Sequence, residues 1–355
     1  MAVNTKFDDI YEVMKERIRR QEPGSRVLSV REAKDEFRVA SGTVCRGMER
    51  LYREGLIVKR VGKGTYVADG SEKLGAHRNY SIVLALPDYP SPNYDAYARL
   101  FAEVGQNAGC RTRIVRYDWR ETVIRSVPRE RFDGLIIVPS AGKVDIADLY
   151  RVRRQNIPFV ILDRLLTDLE IDFVCSDDEL GAAMAAEHLV KLGHRRLAML
   201  LSEPRVDEAR ERGFVRQAQL LRAENVSRID CRTASGESSF RKAYETLMVQ
   251  VDRKGLDFTG VFVLSDASAL GAIKAFHDLN IKVPEAVSVV GFDGISEGEF
   301  YHPSLTTIGI DNEEKIHEAM KIIYRRLSGE RNGALHHLVR PELIVRESTG
   351  RVANC

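Results

Sequence analysis

Apolar positions along this chain change period. Near the start they recur at helical spacing: Phe7, Ile10, Tyr11, Met14 and Ile18 fall at i, i+3, i+4, i+7 and i+11, one face of a helix, while Lys15, Arg17 and Arg19 lie elsewhere. Pro23-Gly24 ends that run. Ser29-Val30-Arg31-Glu32 opens a second helix as a capping box, serine and glutamate each satisfying the other's free amide, with Ala33 and Phe37 pointing inward. After a turn at Arg38-Val39 a third helix begins at Ala40 or Ser41, carries Val44, Met48, Leu51 and Tyr52 on one face, and stops at Gly55. Leu56 to Val61 and Thr65 to Val67 then read as strands joined by Gly62-Lys63-Gly64, a glycine turn with Lys63 at its tip. Three helices followed by a β-hairpin is the order of a winged helix-turn-helix, which sets one helix in a DNA major groove with the hairpin tip beside it.

Residues 69 to 79 are polar, contain two glycines and show no apolar period, the composition of a linker. From Tyr80 the pattern becomes short apolar strands alternating with amphipathic helices, which predicts an α/β architecture of parallel sheets covered by helices on both faces. The expected strands are Ser81 to Leu86, Arg113 to Tyr117, Gly134 to Pro139 and Pro158 to Leu162, then Leu197 to Leu201, Gly260 to Leu264 and Val287 to Gly291. Expected helices include Ala96 to Ala108, Gly181 to Leu192, Ser239 to Gln250 and Ala267 to Asn280. Two series of strands predict two lobes. The expected domains are therefore a reading head over 1–68, a linker over 69–79 and a two-lobed domain over 80–350.

Composition narrows this reading. A chain of 355 residues with 44% apolar and 7% aromatic residues has ample core for such domains. No run approaches the roughly 18 apolar residues that span a bilayer, and the N-terminus is charged, so a cytoplasmic protein with no membrane partner is expected. Cys45, Cys110, Cys175, Cys231 and Cys355 are odd in number and scattered, indicating neither a zinc site nor a disulfide framework. Residues 1 to 70 carry 15 Lys and Arg against 11 Asp and Glu, the remainder 39 against 41, so positive charge is concentrated at the front. That agrees with nucleic-acid binding without establishing it.

The first seventy or so residues resemble the DNA-binding domain of the GntR family of bacterial regulators. Pro23-Gly24, Arg31-Glu32, Thr43-Val44, Leu51, Gly55-Leu56-Ile57 and Gly62-Lys63-Gly64-Thr65 stand where that pattern wants them. Ser41 and Cys45 depart from it, each standing where the family has an arginine, the commonest reader of guanine. The resemblance implies DNA contacts from Arg31, Ser41, Thr43 and Arg46 and from Gly62, Lys63, Gly64 and Thr65 of the wing. The plainer reading of Arg31 and Arg46 is that they are solvated helix charges.

Residues 80 to 350 resemble the effector domain of the LacI/GalR family, which shares its fold with periplasmic sugar-binding proteins. Ordered segments carry the likeness, among them Pro158 to Arg164, Leu192 to Leu197, Arg210 to Phe214, Val287 to Asp293, Pro303 to Ile308 and Pro341 to Thr349. It implies a ligand held between two lobes and a homodimer formed through this domain. Ligands of open parallel sheets sit beyond the carboxyl ends of the strands, where Asp163, Ser265-Asp266 and Asp293 fall. Sugar hydroxyls both donate and accept, which suits carboxylates as acceptors and an arginine as donor. The resemblance carries sugar contacts onto Asp163, Arg210, Asp293 and Ser265, the last in place of the usual asparagine. Capping is the plainer reading of strand-end aspartates, and it is preferred for Asp177 and Asp266. Tyr94, with Tyr89 in the stiff Pro87 to Tyr94 loop, could cover the apolar face of a pyranose or simply pack on the next helix.

Gly294-Ile295-Ser296-Glu297-Gly298 fits the nucleophile elbow of α/β hydrolases, with Asp311 and His317 following in order, but Pro303 leaves no long helix after the serine. Neither a P-loop nor a Rossmann glycine motif is present. The expected protein is not an enzyme and needs no cofactor. It is a sugar-responsive transcriptional repressor, bound as a dimer to pseudopalindromic operator DNA and released by its effector. Two alternatives are a regulator with a non-sugar effector such as a nucleobase, and a sugar-binding protein that no longer reads DNA.

Overall fold

The computed structural model describes residues 5–22, 24–37, 39, 41–53, 56–60, 64–67, 80–120, 131–140, 146–202, 208–234 and 236–352. The chain divides into two compact units, Met1–Arg78 and Asn79–Cys355. The smaller contains helices α1 (Thr5–Arg19), α2 (Val30–Phe37) and α3 (Ser41–Arg53), then strands β1 (Ile57–Arg60) and β2 (Gly64–Val67). The strands pair antiparallel, Ile57 opposite Val67 and Arg60 opposite Gly64. The capping box closes as a reciprocal pair: Ser29 donates its amide to Glu32 Oε2 at 2.7 Å, and Glu32 donates its own to Ser29 Oγ at 3.2 Å. Accepting the Ser29 amide holds the Glu32 carboxyl below the usual range. Tyr11, Met14, Ile18, Ala33, Val44, Met48, Leu51, Ile57 and Val67 form the core. Tyr52, expected to share it, is 40% exposed.

The larger unit contains two six-stranded sheets. The first lobe is ordered β13-β7-β6-β5-β3-β4, from β3 (Ser81–Pro87), β4 (Arg111–Tyr117), β5 (Gly134–Ile137), β6 (Phe159–Leu162), β7 (Phe173–Ser176) and β13 (His336–Val339). Its pairings are parallel throughout. Helices α4 (Pro92–Ala108) and α5 (Ile146–Arg154) belong to this lobe. The second lobe is ordered β14-β12-β11-β10-β8-β9, from β8 (Arg196–Leu201), β9 (Asn225–Asp230), β10 (Gly260–Val263), β11 (Ser288–Asp293), β12 (Thr306–Gly309) and β14 (Glu342–Ile344). Here β14 alone is antiparallel to its neighbour.

Helices α6 (Asp178–Lys191) and α7 (Glu208–Leu220) cover one face of the second sheet, α8 (Ser239–Lys254) and α9 (Asp266–Asp278) the other. The two-residue period of a strand explains this sandwich. Leu197, Met199 and Leu201 enter the core under α6 and α7, whereas Ala198 and Leu200 enter the one under α8 and α9. Burial on both faces is why these strands are continuously apolar.

The chain crosses between lobes three times: from β7 into α6, from β12 into helix α11 (Asn312–Leu327), and from β13 into β14. All three crossings run at one edge of each sheet, where β7, β13, β12 and β14 lie. Helix α11 leaves the second lobe but packs on the first, against α4, β5, β6 and β7. Its buried positions include Lys315, Ile316, Ala319, Met320 and Ile323. At its far end Arg326 forms a buried, two-pronged pair with Asp172, Nε to Oδ2 at 2.8 Å and Nη2 to Oδ1 at 2.7 Å. No described helix is long and apolar enough to cross a membrane. Cys45, Cys110, Cys175 and Cys231 carry free thiols, and Cys355 lies outside the described residues.

Helix α7 touches α6 through backbone. A methyl group on Gly213 would lie 2.1 Å from the Glu179 carbonyl oxygen, so the two helices approach only because residue 213 has no side chain. Gly213→Ala is expected to destabilise the larger unit by about 1–3 kcal/mol through overpacking. Urea denaturation should show a lower midpoint, and an unchanged midpoint would show that the helices part at no cost.

Candidate functional site

The expected effector residues reach the strand ends of the two sheets by different routes. Asp163 directly follows β6 and holds a left-handed backbone, φ 56°. Asp293 closes β11 with φ 121°. Positive φ in residues other than glycine is uncommon, and such strain gathers at binding sites more than elsewhere. Arg210 lies in the first turn of α7, Ser265 just beyond β10, and Tyr94 in the first turn of α4.

Asp163 is held by two donors from different elements. The Tyr97 hydroxyl, from α4, donates to Oδ2 at 2.6 Å, and Lys315 Nζ, from α11, donates to Oδ1 at 2.6 Å. The same ammonium reaches the Tyr97 hydroxyl at 3.1 Å. Lys315 is buried, its side chain 5% exposed, while that of Asp163 remains 30% exposed and open to a ligand. Burial and the Asp163 charge together push the Tyr97 hydroxyl well above the ordinary tyrosine range. Tyr94 meets Tyr89, hydroxyl to hydroxyl at 2.8 Å, and burial raises its pKa as well.

In the second lobe Arg210 is the hub. Its Nε donates to Asp178 Oδ2 at 3.0 Å, Nη1 donates to the Leu264 carbonyl and stands 3.6 Å from Asp293 Oδ1, and the guanidinium lies 3.7 Å from the Phe292 ring centroid. Planar delocalised charge suits a position flanked by carboxylates and an aromatic face. The structure thus brings Arg210 and Asp293 together and ties Asp163 to α11. It turns Ser265 inward, as the N-cap of α9, with its hydroxyl on the amide and hydroxyl of Ser268.

Helix capping explains Asp177, which accepts from the Leu180 amide, whereas Asp266 caps a turn. With Ser265 as the cap, the Asp266 carboxylate points away, accepting from the amides of Gly294 and Ile295 at 2.8 and 2.9 Å and from the Thr307 hydroxyl at 2.6 Å. It thereby fixes the turn that carries Asp293. Burial, then the charge of Asp293, pushes the Asp266 carboxyl up to about 7. Burial pushes Asp293 up to about 6, with Arg210 and Lys315 pulling the other way.

Lys315, Tyr97 and Asp178 were not anticipated from the sequence. Lys315 had a signal: it stands at helical spacing among Ile316, Ala319 and Ile323, a charge in an apolar row. Tyr97 and Asp178 had none beyond their nearness to Tyr94 and Asp177. The hydrolase-like motif comes apart. Ser296 precedes the short helix α10 (Glu297–Phe300) and donates to Glu297, Asp311 caps α11, and His317 faces the Glu313 carbonyl. Among the described residues no cluster of His, Cys, Asp or Glu could hold a metal ion.

In the head, Arg31 lies on α2 and Ser41, Thr43 and Arg46 on α3, with Thr43 half-buried. The side chains of Arg31, Ser41 and Arg46 fall outside the described residues, as do Gly62 and Lys63 altogether. Gly64, φ 112°, begins β2, and Thr65 accepts the Val27 amide at its carbonyl.

The profile of the periplasmic binding protein-like domain matches residues 186–349. The arabinose metabolism transcriptional repressor of Halalkalibacterium halodurans is 26% identical over 92% of this chain and 91% of that protein. A LacI family transcriptional regulator of Enterococcus faecium, solved with bound ribose, superposes at TM-score 0.68 with 24% identity, over 77% of this chain and all of that one. The lac repressor dimer bound to operator and an anti-inducer gives TM-score 0.66 at 21% identity, over 79% of this chain and 98% of that one. The Enterococcus faecium protein is a LacI family regulator, and the match to the arabinose repressor runs through the head as well. They overturn the assignment of residues 1–68 to the GntR family. Several of the motifs behind that assignment, a capping box, a helix-stopping glycine and a hairpin glycine pair, are ones that helix ends and tight turns require in any family. The relatives are transcriptional regulators and not enzymes.

The carboxyl pair gives a pH signature. A carboxyl whose pKa is higher folded than unfolded binds its proton more tightly in the fold, so its contribution is greatest at acid pH and fades as pH rises through about 6 to 7. Asp266→Asn removes one such group, and its amide can serve the same partners once the Thr307 hydroxyl turns to accept. The variant's melting temperature should fall less than the parent's between about pH 5 and pH 8. Equal slopes would mean that Asp266 is ionised throughout.

Proposed function

We propose that this chain is a cytoplasmic, sugar-responsive transcriptional repressor that binds pseudopalindromic operator DNA as a homodimer and lets go when its effector enters the cleft. One observation carries the effector half: Asp163 and Asp293 stand at strand ends of the two sheets and Arg210 in the first turn of α7, Asp163 and Arg210 held by hydrogen bonds and Asp293 by its ion pair with Arg210. Fixed carboxylates accept from a polyol and a fixed guanidinium donates to it, with little ordering left to do on binding. The names of relatives support the class, since the similar proteins are an arabinose repressor and a ribose-bound regulator. The dimer is supported by likeness to the lac repressor dimer on its operator. A ligand that prefers the closed cleft shifts each protomer toward closure, and so changes the spacing of two heads that must match half-sites about one helical turn or more apart.

Thermal shift tests the effector class. L-Arabinose, D-ribose or D-xylose at about 100 times its dissociation constant should add roughly 2.7 kcal/mol of stability, whereas hypoxanthine and guanine should not. Arg210→Ala should leave a repressor that occupies its operator yet loses about one to two decades in sugar affinity, because hydroxyls and carboxylates facing the guanidinium lose their donor. Stabilisation by a purine instead of a sugar would replace the proposed class with a nucleobase.

In the head, Arg31, Ser41, Thr43 and Arg46 together with Gly62, Lys63, Gly64 and Thr65 are the proposed DNA contacts. If Lys63 neutralises a phosphate, Lys63→Ala should lower the slope of log affinity against log salt by about one and weaken all sequences alike. A filter-binding titration with an unchanged slope would take Lys63 out of the interface.

A further inference from the structure

The chain has one tryptophan, Trp119, and it touches the opposite lobe. It stands two residues beyond β4, the outermost strand of the first sheet, while Gly236 lies beyond β9, the outermost strand of the second. A methyl group on Gly236 would lie 3.2 Å from Trp119 Nε1 and 3.4 Å from Cε2 and Cζ2, so the indole rests against bare backbone. Gly236 also has φ 86°, a conformation that most side chains resist. The Arg120 guanidinium, paired with Asp118, lies 4.7 Å from the ring centroid and helps to hold the indole in place.

The position of this contact gives it meaning. All three crossings between lobes run at the β7/β13 and β12/β14 edges, so those edges are the hinge side. Trp119 and Gly236 lie at the opposite edges. A rigid-body opening about the hinge moves the far edges most, and so must part this contact first. Asp163, Arg210 and Asp293 lie between hinge and contact.

We infer that Trp119 on Gly236 is a clasp across the mouth of the effector cleft, and that it restricts effectors to molecules enclosed whole, of monosaccharide size. The inference rests on the sugar-effector reading above for the ligand and on the sheet order for the clasp. A second sugar ring would have to leave the cleft through the mouth that the indole closes.

Because Trp119 is the sole tryptophan, the full-length protein reports on its own clasp. In the parent, acrylamide quenching of the indole should fall several-fold when a bound pentose is saturating, and Gly236→Asn should raise quenching of the ligand-free protein several-fold. Trp119→Ala should speed pentose dissociation about tenfold or more with little change in association, and should admit maltose or cellobiose relative to L-arabinose and D-ribose. Gly236→Asn, which tolerates positive φ but carries a side chain, should loosen the clasp in the same direction. Equal quenching of the ligand-free parent and of Gly236→Asn overturns the clasp. Unchanged dissociation and unchanged mono- to disaccharide preference in Trp119→Ala overturn the size restriction. If no sugar binds the parent while Gly236→Asn still raises quenching, the effector class has failed and the clasp stands, so the two readings fail separately.

Discussion

The ion pair between Lys315 and Asp163 is the constraint around which the larger unit is arranged. It joins a helix that the chain reaches from the second lobe to a strand end of the first, and it does so from a buried position on the helix. A buried ammonium is tolerable only with partners in place, and Asp163 and the Tyr97 hydroxyl supply them. Helix α11 is therefore pinned near its start by this pair and near its end by Arg326 on Asp172. Pinning the helix fixes where the chain recrosses, and the recrossing fixes which edges of the two sheets are joined and which are free. The same pair holds the Asp163 carboxylate that the effector is proposed to meet, so hinge placement and ligand contact share one side chain.

Much of this architecture was legible because its causes are local. Double-sided burial writes an unbroken apolar run, which is why β3, β5, β6, β8 and β10 could be read within a residue or two at their ends. Other strands could not: β7, β12 and the edge strands β9, β13 and β14 went unread, and their pairing is settled only when the sheet assembles. Helix α11 went unread for a related reason. Its inward face carries Lys315 and Arg326, charges that blur an apolar stripe unless the residues that neutralise them, Asp163 and Asp172, are already known to be adjacent. Strand-end position found Asp163 and Asp293 but could not apportion Ser265 and Asp266. Either could have capped α9, and only the turn at Gly294-Ile295 shows which carboxylate is spent on holding a loop.

The head teaches a complementary lesson. Its helix starts, stops and hairpin follow rules that act over three or four residues, and those rules placed the elements well. They are also common property of helical heads, since a capping box or a positive-φ glycine answers to backbone geometry alone. Family membership is written in the residues such rules leave free. At Ser41 and Cys45 the chain differs from the GntR pattern on the helix expected to read bases, and those two departures carried more information than the agreements around them.

The threefold crossing also shapes how the polypeptide can be made. Each sheet takes its last strand from the end of the chain, β13 at His336–Val339 for the first lobe and β14 at Glu342–Ile344 for the second. Helix α11, with both of its buried pairs, also comes late. During synthesis neither lobe can be finished as its own segment emerges, although the core strands of both are long since available. The nascent chain carries two sheets with open edges until residues 336–344 leave the ribosome, and contacts of such long sequence separation form slowly. The arrangement that joins the two lobes along one edge in the finished protein makes the unfinished one dependent on protection of those edges, and a chain cut short before Asn312 leaves both lobes incomplete.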